Sequence, residues 1–274
     1  LTEAGLATAA RLKAAGVRVM TDTFFPRQAR GAGRFIPDRM QYFAEGAMAD
    51  LEGCDLMLVA GTQVPVAFFA YPGKPSVLVP EGCSTMILGG PESDSAAILA
   101  ALADALGANE ASPFATLEQP GMPSGGLNAA SVGQSIARHL PEGSFVSDDG
   151  VSNGLPAFLM TQKARPHDWM MLTGGAIGQG MPLALGAAMA AKDKKVLCLT
   201  GDGAAMYTNQ SLPDRQEHAG TGPAGDRLGR PVQKPWCAGR CGRYGGGFRQ
   251  GAGAGVFGRR AATDRSACAS SLGN

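Results

Sequence analysis

Two neighbouring segments constrain this chain more than any others. Lys195-Val-Leu-Cys-Leu-Thr200 is a short, mostly apolar run that stops on Gly201-Asp-Gly203. A run of that length and character reads as a strand buried on both faces, as a parallel sheet covered by helices requires. Upstream, Leu172-Thr-Gly-Gly-Ala-Ile-Gly-Gln-Gly-Met-Pro182 forms a glycine-rich stretch before an alanine-rich helix predicted over Pro182 to Ala191. A buried strand ending in Gly-Asp-Gly places a carboxylate at the carboxyl edge of a sheet, where open α/β sheets bind ligands. The flanking glycines let the backbone come close to a diphosphate. A helix predicted from about Ala205 then turns free N–H groups and a positive dipole end toward that anion. The carboxylate suits Mg²⁺, a hard cation that bridges protein and phosphate oxygens.

The rest of the chain reads as two α/β regions. Leu1 to Lys13 carries apolar residues at helical spacing, with Gly16 as its stop. A short strand is expected at Val17 to Met20, a helix at Tyr42 to Leu51, and buried strands of the parallel type at Asp55 to Ala60 and Pro75 to Val79. An amphipathic helix over Ser95 to Leu106 closes this region. Alternation of strands and helices predicts a Rossmann-like, doubly wound domain over residues 1–108. It begins on a helix, so its first strand is expected upstream of Leu1. Residues 109–126 are rich in Pro, Ser, Gly and Ala, lack either periodicity, and read as a linker. Residues 127–212 form a second, incomplete α/β domain: a helix over Ala129 to Leu140, a strand at Ser144 to Ser147 ending on Asp148-Asp149, and a strand over Asp168 to Leu172 precede the glycine-rich stretch.

Residues 213–274 change character. They contain no Ile and no Met, and they are rich in Gly and Arg. A doubly wound domain would continue here with another apolar strand and a covering helix. The composition instead matches a shifted reading frame in a GC-rich gene. A competing reading takes Gly242 to Arg249, where Tyr244 and Phe248 alternate with Arg and Gly, as an RNA-contacting segment.

Composition excludes several classes. The net charge of +1 gives no overall field toward nucleic acid or a membrane surface. No apolar run reaches the roughly 18 residues of a membrane helix, and the opening Leu1-Thr-Glu-Ala is no signal peptide. Cys54, Cys83 and Cys198 lie among apolar residues and are expected as buried free thiols in a reducing compartment, the cytoplasm. Six cysteines and three histidines show no strong zinc spacing, and Cys237 with Cys241 does not supply one.

The run Leu172 to Leu212 resembles the thiamine-diphosphate enzyme family, in its acetolactate synthase and benzoylformate decarboxylase group. Gly201-Asp-Gly-Ala-Ala-Met-Tyr-Thr-Asn-Gln-Ser-Leu212 and Val64-Pro-Val-Ala-Phe-Phe-Ala-Tyr-Pro-Gly-Lys-Pro-Ser76 are similar to acetolactate-synthase-like large subunits in particular. The resemblance covers Leu1 to Leu212. It implies a middle domain followed by a diphosphate-binding domain, with thiamine diphosphate and Mg²⁺ as cofactors. It implies Asp202 as the Mg²⁺ ligand, Gly203 and Ala204 as backbone donors to the diphosphate, and Gly175 as the carbonyl that receives the aminopyrimidine N–H. Ile177 matches the apolar residue that wedges under the cofactor and bends it. Ser152 and Asn153 match positions that cap the diphosphate from a neighbouring loop. The implied reaction is decarboxylation of a 2-oxo acid, with transfer of the resulting carbanion to a second 2-oxo acid or to a proton. FAD is left open, since acetolactate synthases bind it and the decarboxylases do not. The resemblance also implies a homo-oligomer for the intact family member.

Two departures qualify that picture. The family's signature closes on an Asn that belongs around Leu228 to Val232, and no Asn stands there. The activating Glu of the family lies in an amino-terminal domain that is expected upstream of Leu1, so the chain offers no catalytic residue and is expected to be inactive alone. The competing classes are a non-catalytic truncated product and a nucleic-acid-binding module built on the basic tail. Blander readings also stand beside individual residues. Ile177 suits core packing. Asp148 and Asp149 suit the N-terminal dipole of a following helix, and Ser152 and Asn153 suit N-caps. Tyr71-Pro-Gly-Lys74 reads as a turn.

Overall fold

The computed structural model describes residues 1–90, 92–212, 236–237 and 254–258, the last two segments as backbone only. The frame-shift and RNA-binding readings of the tail, and the gap at Leu228 to Val232, lie outside the described residues.

The largest sheet is built from the second region. Strands β6 (Ser144–Asp149), β7 (His167–Met171) and β8 (Val196–Gly201) run parallel in the spatial order β7-β6-β8, with Asp148 opposite Met171 and Asp149 opposite Thr200. Antiparallel strands flank this trio: β2 (Gln28–Arg30) beside β7, and β10 (Ala254–Gly258) beside β8, followed by β9 (Trp236–Cys237). Helices α4 (Ala129–His139) and α5 (Gly154–Met160) pack together, and α6 (Gly180–Ala190) lies on β6 and β8. A capping box starts α4: the Asn128 side chain accepts from the Ser131 N–H, and the Asn128 N–H donates to Ser131 Oγ, both at 2.9 Å. The core under this sheet gathers Phe25, Ile136, Leu140, Val146, Phe158, Trp169, Met171 and Leu199. Arg30 from β2 is buried against it, its guanidinium 3.5 Å from the Phe158 ring centroid and donating to the Phe158 carbonyl at 2.8 Å.

The first region is divided into smaller pieces. Helix α1 (Glu3–Ala14) is capped by Thr2 and packs against α3 (Ser95–Ala105). Strands β1 (Met20–Thr21) and β3 (Asp38–Arg39) form one two-stranded parallel sheet; β4 (Leu56–Ala60) and β5 (Ser84–Gly89) form another, beside α2 (Ala44–Leu51).

Four sequence expectations change here. The strand expected at Val17 to Met20 is confined to Met20–Thr21, with Val17 to Val19 outside any ladder. Pro75 to Val79 is not a strand; within it, Val77 makes a single bridge to Val66. Pro75 has no N–H to give a ladder, and β4 pairs instead with Ser84–Gly89, a segment the pattern reading passed over. The run Asp55 to Ala60 does form a parallel strand, but it is not buried throughout: Leu56 is 51% exposed. Cys54 and Cys83 are half-buried, and only Cys198 of the three expected buried thiols is buried.

Residues 109–126 contain no helix or strand, yet they are tied on both sides. Ser112 and Ala115 N–H groups donate to Ala10 and Arg34 carbonyls, and the Glu118 N–H donates to the Lys163 carbonyl. Lys163 also pairs with the Glu118 carboxylate, and Arg138 donates to the Pro120 carbonyl. Among the described residues no helix is long and apolar enough to cross a membrane.

Candidate cofactor-binding edge of the sheet

Parallel β7, β6 and β8 all end on one side, so the loops that follow them share one edge. The loop after β7 is the glycine-rich stretch, with Gly175 and Ile177. The loop after β6 carries Ser152 and Asn153. The turn after β8 is Gly201-Asp202-Gly203. The topology thus places every candidate cofactor-binding residue in a segment at that one edge.

The glycine-rich loop is fixed from several directions. Asp149 Oδ2 accepts from the Gly178 N–H at 2.8 Å and from the Gly180 N–H at 3.1 Å. Ser147 Oγ donates to the Gly180 carbonyl. Gln179 Oε1 accepts from both the N–H and the hydroxyl of Thr173, which closes the loop on itself. Thr208 Oγ1 donates to the Gly178 carbonyl at 2.6 Å and joins the loop to helix α7 (Asp202–Thr208). Gly178 has φ +99°, and a Cβ there would stand 2.8 Å from Tyr207 Cβ. Only glycine meets both demands.

Asp148 and Asp149 are therefore not surface acids at a helix start. Both are buried at the end of β6. Asp148 accepts from the Gly150 N–H and from Trp169 Nε1, at 3.0 and 3.1 Å. Burial raises both carboxyls above their ordinary range, against the opposing pull of those N–H donors. Asp149 is the residue the sequence reading undervalued: its position at a strand end was visible, but its hydrogen bonds to a loop 29 and 31 residues away were not.

Asp202 begins α7, three residues earlier than the predicted helix start at Ala205, and its side chain is exposed. Its Oδ1 accepts from the Gly203 N–H at 2.8 Å. A Cβ built on Gly203 would meet nothing within 4 Å, so the backbone there borders open space. Ala204 is buried and anchors the turn. Gly175 has φ +74° and faces the Phe24 ring, 3.6 Å from where its Cβ would be. Ile177 is 44% exposed, which removes the core-packing reading. Ser152 is exposed, and Asn153 occupies the N-cap position of α5 without a side-chain capping bond. Val151, just before them, has φ +48°, an uncommon conformation for a β-branched residue.

The edge combines an exposed carboxylate at a strand end, a glycine bordering open space beside it, and a glycine loop held by several hydrogen bonds. Among the described residues no three His, Cys, Asp or Glu side chains cluster to hold a metal.

Residues 152–218 match the family model "Thiamine pyrophosphate enzyme, C-terminal TPP binding domain". That span contains all the candidate residues, from Ser152 to Ala204. Over 209 residues, 76% of the chain, the sequence is 46% identical to a Mycobacterium tuberculosis protein described as "Putative acetolactate synthase large subunit IlvX", covering 40% of that protein. It is 44% identical over 55 residues to the Escherichia coli acetolactate synthase isozyme 1 large subunit, covering 20% of this chain and 10% of that protein. The fold is similar to a thiamine diphosphate-dependent 4-hydroxybenzoylformate decarboxylase from Rhodococcus jostii, with a TM-score of 0.59 at 21% identity, covering 76% of this chain and 42% of that one. It is also similar to a benzoylformate decarboxylase from Polynucleobacter necessarius, with a TM-score of 0.52 at 20% identity, covering 76% and 42%. The chain spans less than half the length of these relatives. Residues 152–218 are thus similar to the C-terminal thiamine pyrophosphate-binding domain of that enzyme family, and the sequence upstream and through it is similar to an acetolactate synthase large subunit-like protein.

Proposed function

We propose that the chain is part of a cytoplasmic, homo-oligomeric enzyme that uses thiamine diphosphate and Mg²⁺ to decarboxylate or carboligate 2-oxo acids. The observation that carries this reading is the convergence of three loops on the carboxyl edge of β7-β6-β8, with the exposed Asp202 carboxylate at its end. In this reading Asp202 holds the cation, and the Gly203 and Ala204 backbone holds the diphosphate. Ser152 and Asn153 close over the diphosphate from the loop after β6. Gly175 receives the aminopyrimidine N–H on its carbonyl, and Ile177 supports the bend of the cofactor. Asp149 keeps the loop that carries Gly175 and Ile177 in place. When bound, thiamine diphosphate supplies the carbon nucleophile that attacks the 2-oxo carbon and stores the electrons left by CO₂.

In this reading the carboxyl that activates the cofactor is not supplied by residues 127–212. Within residues 127–212 the single Glu is Glu142, which precedes β6 and so sits at the opposite, amino edge of the sheet. Asp148 and Asp149 are committed to N–H donors. Activation of a thiazolium needs a carboxyl within hydrogen-bond reach of the pyrimidine ring, so this chain alone is expected to bind cofactor without turnover. Calorimetric titration should show thiamine diphosphate binding that depends on Mg²⁺ and is lost in Asp202→Ala. Binding indifferent to both Mg²⁺ and Asp202 would overturn the site. Release of CO₂ from pyruvate by the chain alone would overturn the proposed inactivity.

A further inference from the structure

The tripeptide Glu-Gly-Cys occurs twice, as Glu52-Gly53-Cys54 and Glu81-Gly82-Cys83. The two copies fold alike. The Cys54 N–H donates to the Leu51 carbonyl and the Cys83 N–H to the Pro80 carbonyl, both at 3.1 Å. Gly53 and Gly82 hold φ +73° and +79°, and Glu52 has φ −55°, ψ 136°. A bond from residue i+3 back to i, with a left-handed glycine at i+2, is the type II turn. Each turn delivers its cysteine to the start of one strand of the β4–β5 pair, whose register aligns Leu56 with Ser84. Equivalent turns feeding adjacent parallel strands bring the two thiols side by side: Cys83 Sγ lies 3.7 Å from Cys54 Sγ. Both are half-buried, within reach of a small reagent.

We propose that Cys54 and Cys83 form a reversible dithiol–disulfide site that staples the entrance of β4 to that of β5. The oxidant is a low-molecular-mass disulfide. One thiolate attacks a sulfur of that disulfide, forming a mixed disulfide and releasing a small thiolate. The second cysteine then attacks the protein sulfur of the mixed disulfide and releases the other small thiolate. Two protein S–H bonds and one reagent S–S bond are replaced by one protein S–S bond and two small thiols. The reagent gains the two electrons the protein loses, and the two protons pass to the released thiolates. The closed loop contains β4 and the segment with Phe68, Phe69 and Tyr71. The bond therefore restrains the unfolded chain over that span. Burial, with Cys54 and Asp55 nearby, raises the Cys83 thiol above its ordinary value. The exchange should thus quicken as pH rises above neutrality. Cys198, buried in β8 and pushed up to about 12, is the internal control that should not react.

The test uses the full chain with Cys237, Cys241 and Cys268 changed to Ser, incubated with oxidised glutathione and then alkylated. Cleavage after Glu should yield peptides 53–81 and 82–92 joined by a disulfide, while Cys198 is recovered alkylated. The thermal midpoint should rise by a few degrees on oxidation and fall back with a reducing agent. Cys54→Ser and Cys83→Ser should each abolish the link and the shift. Recovery of glutathione adducts on single cysteines, of disulfides between chains, or of both thiols unmodified across the pH range would overturn the proposal. A link without any reversible shift in thermal midpoint would overturn the staple.

Discussion

Strands β4 and β8 make an instructive pair. On paper Leu56-Met-Leu-Val-Ala60 is the more apolar, with no polar residue, whereas Val196-Leu-Cys-Leu-Thr200 ends on a threonine. In the fold β8 is paired on both edges, by β6 and β10, and lies against α6; Val196, Cys198, Leu199 and Thr200 are all buried. Among the described residues β4 has β5 as its sole strand partner. Met57 packs against α2 and Leu78, and Val59 is buried, but Leu56 is 51% exposed, and on β5 Met86 and Ile87 are exposed too. An apolar run specifies a strand that could be buried. Burial itself depends on how many layers the surrounding chain supplies, and residues 1–108 supply fewer than residues 127–212.

That contrast is open to direct measurement. Trp169 in β7 is fully buried, packs edge-to-face on Phe158 with centroids 5.5 Å apart, and donates to Asp148. Trp169→Ala should cost about 3–5 kcal/mol through the cavity it leaves, with an added penalty for an Asp148 oxygen stripped of its donor. Leu56→Ala should cost under about 1 kcal/mol, because half of that side chain is already in water. Urea unfolding of both variants decides the matter. Equal losses would mean that the apparent thinness of the β4–β5 layer is not reflected in its stability.

The sequence was most legible where one local rule governed. The helices capped by Thr2 and Asn128, the strands β6 and β8, and the Gly-Asp-Gly turn were all visible in short windows. Legibility failed where structure depended on distant partners. β2, three residues long and bearing Gln28 and Arg30, has no strand pattern; its neighbour is β7, well over a hundred residues on. β5 was missed because Pro75 to Val79 offered a more apolar decoy, although its proline could not serve a ladder. The roles of Asp148 and Asp149 depend on an indole and a loop brought in by other strands. At the site, the Gly-Asp-Gly geometry came from spacing, whereas the identity of the ligand rested on resemblance.

Titration can sharpen the comparison further, because buried ionisable groups concentrate in the large sheet. His167 opens β7, is buried, and is pulled from 6.5 down to about 4, first by desolvation. A base whose folded pKa is depressed adds stability above its unfolded pKa and loses it as pH falls toward the folded value. Between pH 6.5 and about 4 this residue should therefore lower stability on acidification, by an amount on the order of 2 kcal/mol. His167→Asn keeps a donor for the Arg165 carbonyl, which His167 Nδ1 meets at 2.8 Å. It should flatten that part of a stability-versus-pH curve. A curve unchanged in slope would place the acid sensitivity elsewhere.

The smallest expected effect comes from Asp149, and its sign runs the other way. Its carboxyl is raised above 3.8 chiefly by burial. A folded pKa above the unfolded one contributes stability that is complete below 3.8 and is lost as pH rises through the folded value. Ionised Asp149 is thus held in the fold at a cost, offset in part by the Gly178 and Gly180 N–H groups. Both of those donors converge on one oxygen, Oδ2, so an Asn amide oxygen can receive both. Asp149→Asn should leave the glycine loop in place and change stability by about 1 kcal/mol or less at pH 7, because relief of the charge cost is set against an amide NH2 buried where Oδ1 has no partner. That relief should vanish as pH falls below 3.8, where Asp149 is itself uncharged. Asp148→Asn makes the contrast, because Asp148 uses both oxygens, one for Gly150 and one for Trp169. An amide cannot accept at both atoms, and that variant should be destabilised by about 1–3 kcal/mol. Measured side by side at pH 4 and pH 7, the two substitutions separate a charge cost from a lost acceptor. Equal destabilisation of both would mean that Asp149 is required as an anion, and that its loop is held by charge as well as by hydrogen bonds.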